Sequence, residues 1–518
     1  MPNSLSHFTS EKNLVFLILL VSFTLKGILV FSVQVPNPDG VLYINAAREF
    51  AQGNFQQGIK IYRMPFYPLL ITLFHYVIPG WIRAAQTISW LSMVLAAVPL
   101  YKITKILFGW KPAMWSITAY SLAPHFNTYA SKIMRDPFGL FMLSLAILFA
   151  LKSLEEKTAK NFFLASIFSI LAFLCRVEYF LFPLFLFFFY FGTILIDRQQ
   201  AIPLGKGLGV FILIPLCTGI ILWLLYSKNL NHIIRLASLK HYINIVINMD
   251  FLDGYQYIYQ QLKILGSSLP GHSYTGNFAE TARHYIWLIY MIVLLETTII
   301  LIFPTNIIPL AYKLCTYKYN RNHYFIFGII LLFAGSTYFF LIFRNFIQKR
   351  YLIIPVFLLF PWIGSGLHSL YNKGFTCKNG KVLAIALFLI IFIFLPTGKT
   401  LSYVGEQNLS LKEAGIWLAN HLEAKKDIKL ISNDRRIPFF AGLDKSTIII
   451  NKNNLQKINI YAQKRKVQII SLAISQKEKD SIPDLKDYEI MKEFHDRKNI
   501  VIIVADKAYI PNFNMELK

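Results

Sequence analysis

The sequence predicts a mainly α-helical polytopic membrane protein with a small soluble α/β domain at its C-terminal end. Three observations carry that reading. The 518 residues are 55% hydrophobic and only 15% charged, with mean hydropathy +0.48, whereas an ordinary soluble domain is about half apolar and about a quarter charged. Apolar runs of the length needed to cross a bilayer, about 20 residues, recur about eleven times (10–13 by different cut-offs). From about residue 400 the composition turns polar, and short strand-like and helix-like runs replace the long apolar ones.

The expected spans are 14–33, 82–107, 112–129, 137–153, 161–176, 178–196, 207–227, 284–311, 324–343, 351–369 and 381–397. Segment 66–79 is apolar but short and bracketed by prolines, and reads as a re-entrant or interfacial helix. Leu14 to Val33 is long enough to span and no small-residue cleavage site follows it, so it reads as a span and not as a cleavable signal. Aromatics make up 16% of the chain, with 45 Phe and 28 Tyr, which suits lipid contact and interfacial belts. The four cysteines show neither a disulfide framework nor a zinc-ligand spacing.

The net charge of +25 is unevenly spread. The tail from Thr397 holds 21 basic and 15 acidic residues, leaving 31 and 12 for the first 396. The excess belongs to the membrane domain, where Lys and Arg mark cytoplasmic loops or bind anionic lipid and phosphate. No basic folded module stands apart from the spans, which argues against nucleic acid as a partner. With the N-terminus inside, the inside loops fall near 108–111, 152–160, 197–206, 312–323 and 371–381. The outside receives the long loops 34–81 and 228–283, short links near 130–136, 176–178 and 344–350, and the tail. The division is therefore a transmembrane domain, 1–400, and a soluble non-cytoplasmic domain, 401–518. In the tail, Ser410–Leu422 has helical periodicity with a Ser410/Glu413 capping box. Strand-like runs follow at 428–432, 447–450, 467–473 and 500–504, and no phosphate-cradling glycine motif accompanies them.

Polar residues gather on the outside face. Asp39 lies in Pro38-Asp39-Gly40 just past the first span, with Tyr43 one helical turn on. A carboxylate held by a turn at a membrane face can take a proton from an acceptor hydroxyl; the plainer role is a turn former or helix N-cap. Arg63, in Tyr62-Arg63-Met64-Pro65, can pair with a phosphate or simply snorkel. Asp136, just before Pro137, has the N-cap pattern, yet a second carboxylate on that face also suits hydroxyl activation and leaves a divalent metal open; no cofactor motif is present. Arg176 and Glu178 sit between two spans with almost no loop, where charge is costly unless paired or functional. The segment Arg344 to Tyr351, with Lys349 and Arg350, carries three cations on the side where positive charge is disfavoured. Lipid phosphate would explain them, and Arg suits bidentate phosphate contact. Loop 266–276 reads as a lid, and His272 within it is a possible ligand contact.

In their order and sidedness these motifs resemble the GT-C superfamily of membrane glycosyltransferases, which includes protein O-mannosyltransferases and the lipid A aminoarabinose transferase. The likeness covers residues 1–400. It rests on Pro38-Asp39-Gly40 with Tyr43, on Tyr62-Arg63-Met64-Pro65, on Asp136-Pro137, on Arg176 with Glu178, and on Lys349-Arg350-Tyr351. The resemblance implies inverting transfer of a sugar from a polyprenyl-phosphate donor to a lipid, polysaccharide or protein acceptor. Asp39 would be the general base and Asp136 the second-loop acidic residue. Arg63 and Arg350 would stand near the carrier phosphate. Many relatives carry Asp-Glu in the first loop where this chain has Asp39-Gly40. That departure favours a bacterial lipid or polysaccharide branch, working at the periplasmic face of the inner membrane. A transporter or flippase of lipid-linked or small anionic substrates is the rival from another class, but it would want polar groups through mid-membrane. A structural scaffold has no use for a one-sided cluster of carboxylates and arginines.

Overall fold

The computed structural model describes the chain except residues 1–9, 197–200, 227–243, 246, 269–279, 377–380, 406–407, 423–427, 445, 451–457, 477–484, 486, 498 and 510–518. Among the described residues eight helices are long and apolar enough to cross a membrane, and a bent pair makes a ninth. They match expected spans from Glu11–Ser32 to Lys381–Leu401. The two remaining expected spans are helical but shorter. Residues 161–176 lie in Ala159–Cys175, and 112–129 is divided into Trp110–Leu122 and Pro124–Ser131. Pro124 explains that division, because the residue before a proline is pushed out of the helical region; Ala123 is extended. The single span expected at 284–311 is also corrected. Ile286–Ile302 and Pro304–Thr316 meet at 100°, at Phe303, whose φ of 72° lies in the left-handed region, immediately before Pro304. The short helix expected within 66–79 is present as Phe66–His75. The chain is a multi-pass membrane protein.

Burial orders the helices. Lys349–Gly374 is the central one, with 83% of its apolar window inside the protein, against 11% for Lys381–Leu401. Close approach makes this possible. A Cβ on Gly364 would lie 2.4 Å from the Ser116 nitrogen, and one on Gly366 would lie 2.0 Å from the Pro309 oxygen, so small residues let neighbouring backbones touch. Because Lys349 and Arg350 open this central helix, they project from the most fixed element of the domain.

The tail forms a five-stranded sheet of order β2-β1-β3-β5-β4, where β1 is Leu430–Ser432, β2 Thr447–Ile449, β3 Ile469–Ser475, β4 Tyr488–His495 and β5 Asn499–Asp506. Strands β2, β1 and β3 are parallel, and β5 runs antiparallel to β3 and β4. Helix Leu409–His421 covers it. The expected capping box does not form. The helix begins at Leu409 after Asn408, which places Ser410 inside it, donating to Asp496 Oδ2 at 2.6 Å.

The tail is docked on the loop that follows the first span. Phe439 is buried among Val41, Tyr43 and Phe50. The Arg48 guanidinium lies 4.7 Å from the Phe439 ring centre and 3.9 Å from Asp444. Lys412 donates to Gln34 at 2.9 Å.

Candidate active site at the junction of the two domains

Pro38 occupies the first turn of helix Pro38–Ala51, where its missing N–H is harmless. Asn37 is the N-cap residue but makes no side-chain cap. Its Oδ1 instead accepts the Ile133 N–H at 2.9 Å, which ties the loop after the first span to the link at residues 130–136. At that crossing a Cβ on Gly40 would stand 2.8 Å from Ile133 Cβ. Gly40 is thus required by packing, and a glutamate has no room there. Asp39 is therefore not the N-cap. Its half-exposed carboxylate accepts from Arg350 Nη1 at 2.8 Å.

Asp136 is not an N-cap either. Helix Arg135–Glu156 begins one residue earlier, after Met134, and the Asp136 carboxylate is buried against Arg176 Nη1. Arg176 also reaches Glu178 at 3.4 Å. Burial alone would lower the Arg176 pKa, but the carboxylates of Glu178 and Asp136 outweigh it and hold the guanidinium well above its ordinary value. The Tyr351 ring joins the two pairs, with Arg176 5.3 Å and Arg350 5.7 Å from its centre. Six residues singled out from sequence thus form one contact chain: Asp39, Arg350, Tyr351, Arg176, Asp136 and Glu178. Tyr43 lies beneath Asp39 with its ring against Tyr62 and Tyr67, and burial raises its hydroxyl pKa well above the usual value.

Beside this chain of contacts lies a cavity of about 730 Å³. Its walls carry Lys132, Lys349, Arg350, Arg436 and His125 and, among the described residues, no carboxylate, with an apolar side from Leu29, Val33, Val35, Met134 and Ile347. Desolvation, and then the nearby Lys349 and Arg350, lower the Lys132 pKa. Three expected contacts are not assembled here. Arg63 is exposed and has no polar partner among the described residues. Arg344 is exposed and stacks on its neighbour Phe343 at 4.4 Å. His272 lies outside the described residues. A metal donor set does not form among the described residues, since Asp39 and Asp136 each face an arginine, and no step is assigned to a metal.

Sequence reasoning missed Lys132, His125, Arg135 and Arg436. Arg135 Nη1 donates to Met64 Sδ at 2.7 Å and its guanidinium lies 5.9 Å from the Tyr62 ring centre. A signal existed for Lys132 and Arg135: in the orientation expected from sequence, the link 130–136 breaks the positive-inside trend just as 344–350 does.

Residues 63–223 match the family model described as dolichyl-phosphate-mannose-protein mannosyltransferase. Among solved structures the chain resembles ArnT from Cupriavidus metallidurans bound to undecaprenyl phosphate, at TM-score 0.52 and 12% identity over 94% of this chain and 97% of that one. This chain has the GT-C glycosyltransferase fold. It also resembles the Archaeoglobus fulgidus oligosaccharyltransferase in a complex with zinc and sulfate, at TM-score 0.56 and 12% identity, over 89% of this chain and 67% of that one. A further likeness is to the same organism's AglB with an inhibitory peptide and a dolichol-phosphate, at TM-score 0.51 and 13% identity over 89% and 69% of the two chains. No curated protein matches the sequence.

Proposed function

We propose that this chain is an inverting glycosyltransferase that moves a sugar from a polyprenyl-phosphate donor to a lipid, polysaccharide or protein acceptor at the outer face of the inner membrane. The observation that carries the reading is the cavity: cation-lined, without a carboxylate among the described residues, apolar along the wall formed by the first span, and adjoining Asp39 through Arg350. A lipid phosphate satisfies both sides of such a space. The phosphate-binding relatives of this fold support the same choice.

In this reading the donor phosphate takes Arg350 and Lys349, which loosens Arg350 from Asp39. Asp39 then accepts the proton of the acceptor hydroxyl as its oxygen attacks the anomeric carbon from the face opposite the phosphate. The bond to the phosphate oxygen breaks, and the cations stabilise the charge that develops there. Asp136 acts through Arg176, as a positioning residue. The outward orientation follows from the excess of Lys and Arg in the opposite loops.

Analysis of lipid-linked sugars in a strain lacking this chain tests the proposal. A polyprenyl-linked sugar should accumulate, and it should be cleared by the wild type but not by Asp39→Asn. An unchanged lipid-linked pool would sink the reading. Cysteine labelling after Lys399 tests the orientation, and a cytoplasmic result there would remove it.

A further inference from the structure

The C-terminal domain offers the cavity one specific edge. In its parallel portion the chain passes from β1 to β2 on one side and then returns to β3 on the other. The crevice beyond the carboxyl ends of β1 and β3 is therefore a topological switch point, the place where open α/β sheets bind ligands. Here that edge faces the membrane domain.

The loop after β1 is braced. Asn433 bridges to β3 in both directions, donating to the Ala473 oxygen at 2.8 Å and accepting from its nitrogen at 2.7 Å. The Asp434 N–H donates to Ser432 Oγ at 3.2 Å. Asp434 then fixes Arg436, accepting from Nε at 2.8 Å and from Nη2 at 2.6 Å. This fork leaves Nη1 without a hydrogen-bond partner among the described residues, on a residue that lines the cavity with Lys132, Lys349 and Arg350.

We propose that Arg436 is a binding residue for the phosphate of the lipid donor, so that the C-terminal domain completes the substrate site. The proposal rests on the functional reading above. Asp434 is its positioning residue. Ion pairing within the domain does not explain why the side chain stands at the cavity wall. Docking through Phe439, Arg48 and Lys412 sets the distance between this wall and the cations of the membrane domain.

Binding of polyprenyl phosphate and of the uncharged polyprenol to the full-length chain in detergent tests this. Losing one charge-assisted contact should weaken polyprenyl phosphate binding to Arg436→Ala by about tenfold to a hundredfold, while polyprenol binding stays unchanged. Arg436→Lys, which keeps the charge but not the fork, should fall between. Lys492→Ala, on the edge strand β4 and away from both the cavity wall and the docking contacts, should bind like the wild type. If Arg436→Ala weakens both lipids alike, its role is structural and the proposal fails. Wild-type affinity in Arg436→Ala overturns it alone; a wild type that ignores the phosphate overturns the functional reading with it.

Discussion

Two arginine–carboxylate pairs flank the Tyr351 ring, and burial makes them different objects. In the pair Asp136–Arg176 the side chains are 2% and 7% exposed; in Asp39–Arg350 they are 45% and 24% exposed. A buried pair cannot trade partners, because either charge left alone in a dry site is costly. A half-solvated pair contributes little to stability and can exchange one partner for an incoming group. The same two side-chain types thus make a brace in one loop and a replaceable contact in the next.

The sharpest way to separate the pairs is Asp39→Asn. Transfer should fall by about 10²–10⁴-fold, while the melting temperature in detergent barely moves. A parallel loss of stability would show that the exposed pair is also a brace. Arg176→Ala should show first in stability. It strands the Asp136 carboxylate and should lower stability by about 3–5 kcal/mol, read as melting temperature. Adding Asp136→Ala should recover part of it. If Arg176→Ala melts like the wild type, the buried pair is not structural.

Arg350→Ala should raise the donor KM by about tenfold with modest loss of stability, and Arg350→Lys should rescue only part, since it lacks the bidentate fork. An unchanged donor KM would argue that Arg350 serves Asp39 alone. The smallest expected effect is in pH. The Lys132 pKa is lowered, so this ammonium is lost at lower pH than an ordinary lysine. Donor affinity should therefore decline early on the alkaline side, and Lys132→Arg should move that decline to higher pH. Superimposable profiles would remove Lys132 from the phosphate site.

The contrast between the pairs was only partly legible in the sequence. Asp39, Arg176 and Arg350 stood out because charge beside a span is costly, but partner choice depends on loops 40 and 311 residues apart in the chain. Hydropathy located the apolar runs because it reads length. It could not read direction, so the bend at Phe303 was hidden. The N-cap reading failed at Asp136 because Pro137 marks a helix start without saying whether the preceding carboxylate turns to its own backbone or to Arg176. Strand β4 was missed since its edge position leaves it polar, with Glu489, Lys492 and Glu493 along it. Arg436 carried no local signal at all, as only docking of the tail brings it to the cavity.

Gly40 has a consequence for how this loop can change over generations. With Ile133 Cβ at 2.8 Å from any side chain placed there, a second acidic residue beside Asp39 is barred by shape, whatever its effect on the chemistry. Trimming Ile133 to alanine does not clear the way, because alanine keeps the Cβ that stands there. A second carboxylate beside Asp39 therefore needs the backbones of the two loops to move apart, which no single substitution at position 40 supplies.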